Sequence, residues 1–167
     1  ASNRATILMK EAPGGAAYLL EADAVGRPSI GITTTQGGWQ GATGPVSLPS
    51  NAWTHVVGVY DGANLRVLVN GVLVASNAAT GTIITSDAPL RIGGNAVWGG
   101  YFSGTIDSVR LYGRALEPTE ATTYMNRATG ATPIVQLAAA TQTLAGILTN
   151  GFQLSLSADT PAVYAIE

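Results

Sequence analysis

The chain has 167 residues, of which 11% are charged, with a formal net charge of −2 and no cysteine. Charge is about half of what an ordinary soluble domain carries, and its eight basic residues, one of them lysine (Lys10), are scattered, so no electrostatic footprint for nucleic acid exists. The missing cysteine excludes thiol catalysis, disulfides and thiolate metal sites together.

Ala5 to Lys10 is apolar and β-branched and is predicted as a strand, stopped by Pro13-Gly14-Gly15. Ala17 to Ala22 alternates and forms the second strand; after the turn Val25-Gly26-Arg27, Ser29 to Thr33 returns as the third. Thr34 to Pro49 is glycine-rich around Trp39 and reads as a loop or an irregular strand. Asn51 to Asn70 is the stretch on which the other strands must pack. Two β-branched runs flank Tyr60-Asp61-Gly62-Ala63-Asn64, whose residues supply the positive φ and local hydrogen bonds of a tight turn. Asn70-Gly71 is a second hairpin signal, giving a meander over 53–60, 64–69 and 72–77. Trp53 is expected in the core at the first strand's start. Short strands are predicted at Thr82-Ile83-Ile84 and Leu90 to Gly93, a loop at Asn95 to Tyr101, and a last strand at Ser103 to Tyr112. That strand's phase shifts between Ile106 and Val109, as at a bulge. A helix starts around Leu116-Glu117-Pro118, with Pro118 in its first turn and Glu117 and Glu120 at its positive end, and runs to about Arg127.

Trp53-Thr54-His55-Val56-Val57, Tyr60-Asp61-Gly62 and Leu65 to Gly71 resemble the middle of a laminin-G-like domain of the concanavalin A-like lectin/glucanase superfamily. A second block agrees: Leu90-Arg91-Ile92-Gly93-Gly94, then Phe102 to Tyr112, then Arg114-Ala115-Leu116. The resemblance covers residues 4 to 127. It implies an all-β fold, an antiparallel β-sandwich of jelly-roll type with one short helix. It also implies a strand or two before Arg4 that this sequence does not contain. Residues 1–128 are therefore read as a sandwich lacking N-terminal strands, and the whole sequence as an excerpt of a longer chain. Residues 129–150 are read as a linker and entering strand. Residues 151–167 are read as the start of a second, immunoglobulin-like β-domain, because Phe152 to Ser157 alternates with period two and Val163 to Ile166 follows a turn. No apolar run reaches the ~18 residues of a membrane span.

Chemistry is sparse. A glycoside hydrolase needs two carboxylates across its substrate; Glu21 and Asp23 share the required strand spacing, but Asp23 falls in a turn. His55, the one histidine, lies within a core-forming strand. No catalytic residues are assigned. By resemblance, Asp107 in Gly104-Thr105-Ile106-Asp107 is a candidate ligand of a structural Ca²⁺, an ion that takes carboxylate and carbonyl oxygens; the alternative is a polar strand residue pairing with Arg110. Trp98, Tyr101 and Trp39 sit in glycine-rich stretches and are the candidate ligand-binding residues, since aromatic planes stack on sugar C–H faces and serve protein interfaces equally. Their alternative role is to cap the sandwich edge. The expected function is a non-enzymatic binding module of a large bacterial extracellular or surface protein. Its expected partners are carbohydrate or extracellular protein and the other domains of the same chain, with no nucleic acid and no membrane insertion. A protein-adhesion or spacer module without a sugar site, and a glycoside hydrolase, are the alternatives.

Overall fold

Five strands, β1 (Ala5–Ala12), β2 (Gly15–Ala22), β3 (Pro28–Thr34), β4 (Gly38–Thr43) and β8 (Leu90–Ile92), make one sheet in the order β4-β3-β2-β1-β8. A second sheet holds β5 (Val56–Tyr60), β6 (Asn64–Val69) and β7 (Val72–Ala78), with β9 (Ala165–Ile166) beyond β5. These come from a computed structural model that describes residues 4–126 and the backbone of Ala165–Ile166. All pairings are antiparallel except that of β5 with β9.

The sheets pack face to face as a jelly-roll β-sandwich, and strand periodicity decides what lies between them. Along β5, Val56 points inward and Val57 and Val59 outward; along β6, Leu65 and Val67 point inward and Leu68 outward. The inward set joins Ile7, Leu20, Ile30, Ile32 and Ala42 of the first sheet in one core. At Gly58 the sheets approach closely: a Cβ there would lie 2.8 Å from Ile30 Cδ1. The outward set is covered by α1 (Pro118–Met125) through Ala121, and by Leu116. β5 is thus buried on both faces, which is why its sequence is a continuous apolar run.

The predicted turns form as their residues dictate. Asp61 Oδ1 accepts the N–H groups of Ala63 (2.9 Å) and Asn64 (2.7 Å), and Gly62 takes φ +91°. Asn70 and Gly71 both have positive φ, as a two-residue hairpin turn requires. Asn70 Oδ1 also accepts the His55 N–H at 2.9 Å, tying the start of β5 to the end of β6.

Four expectations are corrected. Trp39 lies on a regular strand, β4, paired with Thr33, because the glycines around it are tolerated at a sheet edge. Trp53 precedes β5 rather than opening it and is 38% exposed, since Val56 and Val57 already fill both faces there. Residues 82–84 make a single bridge, Thr34 to Ile83, rather than a strand. Ser103 to Tyr112 is not a regular strand: Ser108 takes φ +52° with its N–H bonded to Asp107 Oδ1, and this breaks the extended run where a bulge was expected. The helix forms as predicted, with the Glu117 N–H bonded to Glu120 at 3.0 Å. The proposed linker and second domain lie outside the described residues, apart from the Ala165–Ile166 backbone that pairs with Val56 and Val57. No described helix is long and apolar enough to cross a membrane.

Candidate functional site

The outer face of the first sheet carries Leu19 and Glu21 from β2, the partners in register of Met9 and Thr6 on β1, and Gly31 from β3, the partner of Leu19. Gly31 matters for what it lacks. A Cβ there would lie 2.2 Å from Trp39 Cζ2 and 2.4 Å from Cη2, so the indole of Trp39 rests directly on the β3 backbone. Trp39 nevertheless stays 52% exposed.

The loop from Gly93 to Phe102 covers the other side of this face. Its ends are tied to β1 and to each other by the backbone bonds Gly93 N–H to Ile7 O, Thr6 N–H to Gly100 O and Phe102 N–H to Gly93 O. Two buried polar side chains hold its middle. Glu11 Oε1 accepts the Ala96 N–H at 2.7 Å and Arg91 Nε at 2.8 Å. Asn95 Nδ2 donates to Thr6 Oγ1 at 2.8 Å while its Oδ1 accepts the Trp98 N–H at 2.6 Å. Val97 packs on Met9, Ala16 and Leu19. Trp98 is presented on this fixed loop, 42% exposed.

Trp39 and Trp98, far apart in sequence, line one cleft of about 340 Å³ together with Leu19, Asn95, Arg4 and Glu21. The Arg4 guanidinium pairs with Glu21 in the cleft wall. Burial raises the Glu21 carboxyl above its ordinary value, against the pull of Arg4, which lowers it. The cleft therefore offers two indole surfaces, an aliphatic floor and a few convergent polar groups, the composition of a small-ligand site.

The three aromatic candidates divide. Trp39 and Trp98 share the cleft; Tyr101 does not line it, but packs its ring over Gly94, where a Cβ would lie 2.6 Å from Tyr101 Cδ1, and is 74% exposed. Asp107 lies elsewhere, in the segment before α1. Its Oδ1 accepts the Ser108 N–H at 2.6 Å, and its Oδ2 is buried without a hydrogen-bond partner. A buried carboxylate oxygen of this kind fits a hard cation, although no group of three or more His, Cys, Asp or Glu side chains gathers anywhere among the described residues. Of the two acids with hydrolase-like spacing, Glu21 holds Arg4, and Asp23 is committed to its turn: Oδ1 accepts the Val25 and Arg27 N–H groups and Oδ2 accepts Arg27 Nε. His55 is buried at 2% exposure, and burial, aided by the Arg110 charge, lowers it to about 4.

Sequence reasoning missed Asn95, the Arg4–Glu21 pair and Gly31. Gly31 had a signal: a lone glycine between Ile30 and Ile32 in a strand marks a close approach. The others are joined by partners 89 and 17 residues away, and no local pattern records such pairs.

Residues 1–122 match a laminin-G-type family model described as the concanavalin A-like lectin/glucanases superfamily. No curated protein matches the chain. Among solved structures, the chain is similar to an S-layer domain-containing protein (residues 221–444) from Clostridium thermocellum ATCC 27405, at 23% identity and a TM-score of 0.43. The similarity covers 64% of this chain and 55% of that one, so the chain spans about half the length of this relative.

Proposed function

Because the chain belongs to the concanavalin A-like lectin/glucanases superfamily, we propose that it is a non-catalytic binding module of a bacterial extracellular or surface protein and that it takes carbohydrate in the cleft between Trp39 and Trp98. One observation supports this above the rest: two half-exposed indoles from distant parts of the chain converge on a single cleft, one on a strand paired with β3 and one on a loop hydrogen-bonded to β1. Indole faces stack on the C–H faces of pyranose rings, and the cleft lining adds the polar groups of Arg4, Glu21 and Asn95, of which the half-exposed Arg4 guanidinium can donate to ring hydroxyls. Holding the aromatic walls in place before binding lowers the ordering cost of capture. A glycan array on the full chain, with Trp39→Ala and Trp98→Ala variants beside it, tests the reading. Sugar binding lost in both variants supports it, and a folded protein that captures no glycan overturns it.

A protein-adhesion role is the second reading, favoured by Tyr101, which is exposed outside the cleft. Pull-down of an extracellular protein that depends on Tyr101 but not on Trp98 would support it. As a structural cofactor we propose Ca²⁺ at Asp107, where Oδ2 would be its carboxylate ligand and carbonyl and water oxygens would complete the shell. Thermal unfolding with calcium and with chelator, in the native chain and in Asp107→Asn, tests this. A calcium-dependent rise in Tm that the variant lacks is expected; equal curves would overturn it.

A further inference from the structure

We infer that the ligand of the Trp39–Trp98 cleft is an uncharged glycan, one or two sugar units long at the point of contact. The inference rests on the carbohydrate reading above and narrows it. Among the described residues, the two ionic groups lining the cleft are Arg4 and Glu21, and because they are paired with each other they present no surplus charge to a ligand. The same compensation holds for the buried acids around it. Glu11 pairs with Arg91 at 2.8 Å and Asp23 with Arg27 at 2.7 Å, each acid taking one arginine. A uronate or sulfate entering the cleft would lose water without meeting an uncompensated cation, and burying a charge without a partner is costly. An uncharged sugar meets no such penalty, because a paired guanidinium and carboxylate still give and accept hydrogen bonds with hydroxyls. Size points the same way as charge: about 340 Å³ lies at the small end of ligand pockets, which run from about 300 to 1,000 Å³.

The test is titration of the full chain with neutral oligosaccharides and with analogues of the same backbone carrying uronate or sulfate, each at about 10 mM and about 500 mM salt. Neutral glycans are expected to bind with a Kd that changes less than about twofold across that range, because no net charge is being screened. Acidic analogues are expected to bind more weakly than their neutral counterparts. Acidic glycans binding about tenfold tighter than neutral ones, with the advantage lost at high salt, would overturn the inference while leaving the carbohydrate reading intact. Capture of neither class would overturn both. A Glu21→Gln variant checks the cause independently. The substitution takes one negative charge out of the cleft wall, so acidic glycans should gain several-fold at low salt, and no gain in a folded variant would remove the premise.

Discussion

Asn95 Oδ1 accepts the Trp98 N–H at 2.6 Å while the same side chain's Nδ2 donates to Thr6 Oγ1 on β1. One buried amide thus couples the sheet to the loop indole. Replacing it with alanine leaves the Trp98 N–H and the Thr6 hydroxyl without these partners, at a cost of about 1–3 kcal/mol for each group left buried and unsatisfied. Asn95→Ala should therefore lower Tm and weaken glycan binding together, as read by calorimetry on one sample. A loss of stability with unchanged affinity would mean that Trp98 keeps its position without the amide.

Gly31 and Trp39 make a second such pair across β3 and β4. Because a Cβ on Gly31 would lie 2.2 Å from the indole, Gly31→Ala must lift Trp39 off the sheet. The gap is far below van der Waals contact, and ring and β3 backbone cannot both stay in place. Glycan affinity should fall by about tenfold, roughly 1.4 kcal/mol, and Trp39 fluorescence should shift toward that of a hydrated indole. An unshifted spectrum in a folded Gly31→Ala protein would show that Trp39 does not rest on the β3 backbone.

Much of the fold could be read from the sequence because its signals were local. The turn at Asp61-Gly62 and the Asn70-Gly71 hairpin carry their own geometry, and β5 and β6 between them alternate or run apolar as their burial demands. The misreadings fell where local signals conflicted. The glycines flanking Trp39 suggested a loop, yet an edge strand tolerates them. The alternation over Ser103 to Tyr112 suggested a strand, yet Asp107 bonding the next N–H turned Ser108 into left-handed backbone. The candidate site was only partly legible as a place in the fold. Trp98 and Trp39 stood out as aromatics among glycines, but that they share one cleft, and Tyr101 does not, depends on sheet register and on the Asn95–Thr6 bond, which no linear pattern encodes.

Leu116 offers a test of whether the two outer faces act independently. It is buried with Ala121 against Val57, Val59 and Leu68 on the outer face of the β5–β6 sheet, while the cleft lies on the outer face of the other sheet. Leu116→Ala should cost about 2–5 kcal/mol in denaturant unfolding. Glycan affinity, measured where the variant is still folded, should match that of the native chain. A parallel loss of affinity would show that the α1 face and the cleft are coupled through the sandwich.

His55 makes stability depend on pH in a definite direction. The unfolded chain protonates this imidazole near 6.5, but in the folded protein burial, with the Arg110 charge, holds it neutral down to about 4. Between those values the unfolded state binds more protons, so stability falls as pH falls through the window, by up to roughly 3 kcal/mol once both forms are protonated. Glu21 opposes this, because its carboxyl is raised on folding and its protonation favours the folded state just above pH 4.5. Glu120, lowered to about 2 by its bond to Arg114 and by the Glu117 N–H, adds an acid loss that sets in below pH 4.5. The His55 share is isolated by comparing urea unfolding of the native chain and of His55→Gln at pH 7, 5.5 and 4. The native chain should lose stability relative to the variant across that series, most steeply between pH 6.5 and 4. Two parallel curves would mean that His55 titrates alike in the folded and unfolded chain, and that its burial carries no protonation cost.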